Sequence, residues 1–225
     1  MAEKAILKWW IKSMLFLVIY GIVLFLLAGE AKWIFAWTYL ASVLLTILAN
    51  SLMIDPALLA ERAKLQEETK KWDVFLSVFV AILGPFLTLA VSGLDRRLGW
   101  SRFNKPLFQV AALLVFLFGA ILGVLSMAAN KFFASTVRIQ TEREHKVISS
   151  GPYRFIRHPG YISGIIASLM TPLVLGSLLA IIPAILVASG YILRTALEDK
   201  VLHNELSGYS EYAQKVRYKL IPYVY

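Results

Sequence analysis

The stretch PGYISGIIASLMTPLVLGSLLAIIPAILVASGYILR, Pro159 to Arg194, decides the architecture of the chain. It is 36 residues long and almost entirely apolar. As one straight helix it would reach about 54 Å at about 1.5 Å per residue, well beyond a hydrocarbon core of about 30 Å. Two short antiparallel helices fit instead, turning at Leu175, Gly176 and Ser177. Gly176 lies 18 residues after His158 and 18 before Arg194, so arms of equal length return Arg194 to the depth of His158. Pro172 and Pro183 fall inside the arms, where each is expected to bend its helix.

Upstream of this hairpin, apolar runs close to the roughly 20 residues of a membrane crossing occupy Trp10 to Ala28, Trp33 to Ile54, Val74 to Ser92 and Leu107 to Ala129. The expected fold is therefore an all-α polytopic integral membrane protein with about six transmembrane helices. It reads as a single membrane domain over 1–225, with four helices in 1–130 and, in 131–225, a loop, the hairpin and short C-terminal helices. Lys4, Lys8 and Lys12 beside the first run resemble a signal peptide, but no small-residue cleavage site follows, so a retained helix is expected. Trp9, Trp10, Trp33, Trp72 and Trp100 read as interfacial anchors. A kink is expected at Gly84 and Pro85.

Composition agrees with the bilayer as solvent. Hydrophobic residues make up 59% and charged residues 16% of the chain, against about 25% charged in soluble domains, and the mean hydropathy is +0.68. The net charge of +9 is interspersed with the apolar runs rather than gathered on a soluble face, which argues against nucleic acid and for membrane topology. With both termini on the cytosolic side, eighteen Lys and Arg residues fall inside and five outside, as the positive-inside rule requires. The absence of cysteine excludes disulfides, thiolate metal sites and Cys nucleophiles, and three scattered histidines make a poor metal set, so none is expected. Transport is disfavoured because the runs carry almost no ionisable residue at mid-depth.

Chemistry concentrates in His145-Lys-Val-Ile-Ser-Ser-Gly-Pro-Tyr-Arg-Phe-Ile-Arg-His-Pro-Gly-Tyr-Ile-Ser-Gly164. Gly151 and Pro152 make a turn, and Pro159 suits the first turn of a helix because its missing N–H would be unbonded there. Arg194 and Glu198 are spaced i,i+4 and share a helical face. Arg157, His158, Arg194 and Glu198 can therefore surround one pocket at the cytosolic membrane surface.

The order GPYRFIRHPGYISG, preceded by His145-x-x-Ile148 and followed by Arg194-x-x-x-Glu198, resembles the isoprenylcysteine carboxyl methyltransferase family and its relatives among membrane phospholipid methyltransferases. The resemblance covers roughly Thr136 to Pro222. It implies S-adenosylmethionine as methyl donor, with S-adenosylhomocysteine as product, and a lipophilic or lipid-modified acceptor reached from the membrane lipids. By position, His145, Lys146, Val147, Ile148, Tyr153, His158, Pro159, Gly160 and Tyr161 look like cofactor contacts, with Gln140 a looser match. Glu198 resembles the family's acidic cofactor contact and Arg194 the residue that handles the substrate carboxylate; these two form the expected catalytic pair, and Arg157 is expected beside the substrate. Asp199 stands where a second Glu is common.

A carboxylate acceptor, with a reference pKa near about 3.5, is already ionised at neutral pH and needs no general base. Positioning is then the main catalytic device. Methylation of a phospholipid amine would instead need a base near Glu198 or Tyr161. A third reading is NADPH-dependent reduction of a sterol-like double bond, since membrane reductases share an Arg-His-Pro-x-Tyr-like segment.

Overall fold

A computed structural model describes residues 2–62 and 69–224; Lys64, counted in the charge asymmetry, lies outside them. The helices are α1 (Ala2–Ala28), α2 (Ile34–Met53), α3 (Pro56–Arg62), α4 (Lys71–Val78), α5 (Gly84–Leu98), α6 (Pro106–Ala129), α7 (Pro159–Leu175), α8 (Ile181–Glu205) and α9 (Tyr209–Lys215). A π-helical turn, Phe79–Leu83, joins α4 to α5, so Lys71–Leu98 is one continuous crossing. Among the described residues, five helical segments are long and apolar enough to cross a membrane, and α7 is an apolar helix of 17 residues. The protein is an all-α polytopic membrane protein.

The hairpin turns where its sequence places it. Gly176 adopts φ +74°, a left-handed conformation that glycine takes without Cβ strain, and its N–H and that of Ser177 close back on the carbonyls of Leu173 and Pro172, the helix-ending pattern such a residue permits. Asp95, fully buried at the end of α5, accepts bonds from the Ser101 N–H and hydroxyl, each at 2.6 Å, and from the Ser177 hydroxyl. Phe103 donates to the Gly176 carbonyl at 2.8 Å, and Gln109 to that of Val174 at 2.9 Å. The turn is thus fastened to α5, to the loop after it and to α6.

Three sequence expectations change in detail. The irregularity at Gly84 and Pro85 takes the form of the π-helical turn: Pro85 offers no N–H to Ala81, and Gly84 reaches back five residues to Phe79. Pro183 does not bend its arm, because it is the third residue of α8, where a helix has no amide bond to lose. Trp33 is buried in the core formed by α1, α2, α5, α6 and α7 rather than anchored at an interface.

α7 packs against α6, α8, α2 and α5. Its contact with α6 is close: a methyl at Gly119 would come within 2.6 Å of Ile166, and one at Gly123 would strike Ser163. Small residues let backbones approach in lipid, where association relies on dispersion contacts rather than on a hydrophobic gain. At the other end of α7, the C-terminal tail is tied to the helix start, Tyr218 accepting the Arg157 N–H and Lys219 the His158 N–H, both at 2.9 Å.

Replacing Asp95 by Ala leaves two buried hydroxyls and one amide without their acceptor. Bonds to a charged group are each worth about 1.5–3 kcal/mol, so the variant should unfold in detergent with at least about 2 kcal/mol less stability. Replacement of the exposed Lys105 by Ala should change it by less than about 0.5 kcal/mol; equal midpoints for the two variants would remove the clamp from the account.

Candidate active site

Where the start of α7 meets the outer half of α8, a cavity of about 340 Å³ opens. Each wall comes from a different part of the chain. α8 presents Tyr191, Arg194, Glu198 and Leu202 along one face, as i, i+3, i+7 and i+11 spacing dictates. α7 gives Gly160, Tyr161 and Gly164, and the loop before it gives His145 to Ile148, Tyr153, Arg157 and His158. Phe132 to Arg138 form a second loop wall, and Tyr209 and Tyr212 of α9 close the outer side. Toward the middle of the helices the lining turns apolar, with Val80 and Ala81 from the π-helical turn and Gly123 and Met127 from α6.

Two adjacent carboxylates on α8 face different ways, because successive helical residues are about 100° apart. Glu198 faces the cavity and accepts a short hydrogen bond from the Tyr161 hydroxyl. Asp199 faces the protein, 4% exposed, and gathers His158 Nε2 at 3.2 Å, the Tyr209 hydroxyl at 2.8 Å, Arg157 Nε at 3.4 Å and Lys219 Nζ at 3.5 Å. His158 stacks on Tyr161 with ring centres 5.7 Å apart and planes 8° from parallel. With Nε2 committed to Asp199, the imidazole is held in one orientation, as a carboxylate partner does for histidine.

Arg194 lines the cavity, but its guanidinium is engaged. Nε lies 2.7 Å from Asp73 Oδ1 and Nη2 2.9 Å from Asp73 Oδ2, a two-pronged pair with Arg194 6% and Asp73 0% exposed. The same Nη2 is 3.3 Å from the Ser135 carbonyl, and the cation sits 5.2 Å over the Tyr161 ring. Arg194, expected to handle the substrate carboxylate, thus has its Nε/Nη2 edge closed on Asp73. Asp73 also accepts the Val137 N–H at 2.6 Å and the Ser77 hydroxyl at 3.0 Å, binding the third crossing to the 135–137 loop. Arg157 is likewise drawn into the Asp199 cluster while still bordering the cavity.

Of the expected cofactor contacts, His145, Lys146, Val147, Ile148, Tyr153, His158, Gly160, Tyr161 and Glu198 come together on the cavity wall. Gln140 and Pro159 do not. Gln140 is fully buried behind the loop, donating to the Phe132 carbonyl at 2.7 Å and accepting from Arg143 at 2.6 Å, so it braces the wall rather than facing the cavity. Pro159 is packed inside as the first residue of α7, the place its ring chemistry favours. His145 stacks on Phe132, ring centres 4.5 Å apart. Burial, reinforced by the Arg138 and Arg143 cations, pulls its pKa down to about 4, so it is neutral at pH 7.

Asp73, Arg62 and the aromatic set Phe132, Phe133, Tyr191, Tyr209 and Tyr212 were not legible as site residues in the sequence. For Asp73 a signal existed: an acid at the very start of an apolar run needs a cationic partner. Arg62 looked like any positive-inside charge, and Tyr209 and Tyr212 like an amphipathic stripe.

Comparison with known sequences bears on this half of the molecule. Residues 111–204 match the isoprenylcysteine carboxyl methyltransferase (ICMT) family, which bears out the resemblance carried by the His145–Gly164 motif and Arg194-x-x-x-Glu198. Two similar curated proteins, each named a probable protein-S-isoprenylcysteine O-methyltransferase, come from Oryza sativa subsp. indica and subsp. japonica. Each is 33% identical over 92 residues, which is 40% of this chain and 48% of the relative. The chain thus spans about half the length of the curated relatives it matches.

Breaking the buried pair by Asp73→Asn strands the Arg194 cation and should cost about 3–5 kcal/mol, measured as a fall in the thermal midpoint in detergent. A fall no larger than that of a surface variant would count against the pair as an organiser. Acid should act through His145: the unfolded imidazole protonates near about 6.5 and the folded one near 4. The unfolded state therefore takes up more protons in that window, and stability declines as pH drops from 6.5 toward 4. His145→Gln should flatten that part of the stability–pH curve, and an unchanged curve would assign the acid sensitivity elsewhere.

Proposed function

We propose that this protein is a membrane-embedded methyltransferase that moves a methyl group from S-adenosylmethionine to the carboxylate of a lipophilic, isoprenylcysteine-like acceptor at the cytosolic face. One observation carries the reading: Glu198, Tyr161, His158 and Arg194 line the same cavity whose inner wall, at Val80, Ala81, Gly123 and Met127, is apolar. The names of the two rice relatives and the family match agree with it.

The donor set suits S-adenosylmethionine. A sulfonium and an ammonium call for a carboxylate and aromatic faces, and Glu198 stands among Tyr161, Tyr153, Phe132 and Tyr212 on the wall. Glu198 would hold a cationic or hydroxyl-bearing part of the molecule, with the main chain of Lys146 to Ile148 beside it. When bound, S-adenosylmethionine supplies an electrophilic methyl on a positively charged sulfur.

The chain's own residues then position and desolvate. Tyr161 fixes the Glu198 carboxylate by donating its hydroxyl, and Arg194 over the Tyr161 ring holds that tyrosine from the other side. Asp199 holds His158, and His158 shapes the wall. Among the described residues, the carboxylates around the site are engaged: Asp73 is paired with Arg194, Asp199 with its cluster, and Glu198 with Tyr161. An acceptor that arrives as a carboxylate needs no base, whereas an amine would. Attraction between a cationic donor and an anionic acceptor is strong where water is excluded, and it favours their close approach.

The apolar acceptor tail has a route from the bilayer. α6 packs on α7, on α2 and on the Gly151–Arg154 turn, and the π-helical turn packs on α4, α5 and α8. Both line the cavity, and Ala81 of the π-helical turn is exposed beside it. A lipid tail can lie there while its polar head reaches Tyr161 and Glu198.

Titration calorimetry of the purified protein in detergent should show saturable binding of S-adenosylmethionine and S-adenosylhomocysteine. Glu198→Ala should weaken S-adenosylmethionine binding roughly tenfold to a hundredfold, the range for losing a charge-assisted contact. Label from S-adenosylmethionine should appear on short isoprenylcysteine acids with a rate that does not climb between pH 7 and 9. Preferential stabilisation by NADPH would point to reduction, and a rate rising through an amine pKa would point to N-methylation.

A further inference from the structure

The Arg62 guanidinium borders the cavity from outside both the motif and the family match, which covers residues 111–204. Arg62 ends α3, is half-buried and lines the cavity wall. Among the described residues, its Nη1 donates to the Phe133 carbonyl at 3.1 Å, and its cation sits 5.2 Å over the Phe133 ring. No carboxylate among the described residues pairs with it. Its neighbour Glu61 is turned away to Arg138, at 2.6 Å. Tyr191, Arg194, Tyr161 and Tyr153 are among the groups whose charges bear on Arg62. Burial lowers its pKa to about 10, so it remains a cation at neutral pH.

Charge balance shows what this leaves. Arg194 is matched by Asp73, Arg157 by Asp199, Arg138 by Glu61 and Glu142, and Lys146 by Glu144. Among the described residues, Glu198 remains as an anion and Arg62 as a cation without a counter-ion, both on the wall of one cavity. A desolvated guanidinium without a partner is costly, and an anionic ligand that pairs with it removes the cost. Resting on the function proposed above, the assignment follows from complementarity: a donor of net positive charge belongs with Glu198, and an acceptor bearing a carboxylate belongs with Arg62.

We propose that Arg62 binds the acceptor's carboxylate, taking the role that the closed Asp73–Arg194 pair denies to the fork of Arg194. Its position fits. Tyr191 and Tyr161 line the same cavity from α8 and α7, and the Phe133 ring beneath its cation rests on Gly160. With one Nη1 hydrogen spent on Phe133, the opposite edge of the fork is available for two parallel bonds to a carboxylate.

The test is a binding cycle on the full chain in detergent, by calorimetry with two probes, a short isoprenylcysteine acid and its carboxamide, on wild type, Arg62→Gln and Arg62→Lys. Wild type should prefer the acid roughly tenfold to a hundredfold. Arg62→Gln should erase most of that preference and leave S-adenosylhomocysteine binding within about twofold, while Arg62→Lys, which keeps the charge and loses the fork, should restore part of it. S-Adenosylhomocysteine binding also reports that each variant is folded. An acid preference that survives Arg62→Gln overturns the assignment, as does a loss confined to S-adenosylhomocysteine binding, which would put Arg62 on the donor's own carboxylate. A wild type that prefers the acid, loses the preference in Arg62→Gln and yet transfers no methyl group would uphold Arg62 as a carboxylate site and reject the methyltransferase reading.

Discussion

The buried pair between Asp73 and Arg194 is the interaction on which the site depends. It joins two residues 121 positions apart, at 2.7 and 2.9 Å, and through Val137 it fastens the loop that walls the cavity. Placing a guanidinium in a membrane protein at low exposure requires a counter-charge, and each partner here supplies the other's. The pair therefore sets the register of α8 against the third crossing. That register puts Glu198, one turn further along, into the cavity beside Tyr161.

A division of labour between neighbours recurs around the cavity. Glu198 and Asp199 are consecutive, yet one is bonded at the cavity wall and the other is locked in a cluster with His158, Arg157, Tyr209 and Lys219. Glu61 and Arg62 divide in the same way, one holding Arg138 and the other bordering the cavity. In each case the helical rotation of about 100° between successive residues separates a structural charge from a chemical one. Charges spent on structure keep the walls rigid. The remainder matches, in sign, a cationic donor and an anionic acceptor.

The two ends of the molecule solve different problems. At the hairpin turn, Asp95 collects hydroxyls and an amide and fastens the tip of α7 and α8. At the cavity end, the C-terminal tail pairs with the start of α7, and α9 adds two tyrosines to the wall. Between them α7, only 17 residues long, is gripped by close contact with α6. A short central helix held at both ends keeps Tyr161 and His158 at a constant height relative to Glu198.

Much of the fold was legible because membrane crossings are written in local composition: run length against bilayer thickness, glycine at the turn, proline at a helix start and basic residues beside the ends of the runs. The hairpin and the shared location of His158, Arg194 and Glu198 follow from such local rules, since helical periodicity and equal arm lengths are properties of the chain itself, whereas the first and third crossings run past their apolar stretches, over Ala2–Ala28 and Lys71–Leu98. What only the tertiary structure decided was partnership. Asp73 reaches Arg194, Asp199 takes up Arg157 and His158, Gln140 turns inward, Trp33 enters the core and Arg62 is left without a counter-ion among the described residues. Charge pairing in a low-dielectric interior is settled by distances between residues remote in sequence, and a single chain's sequence carries no measure of those distances.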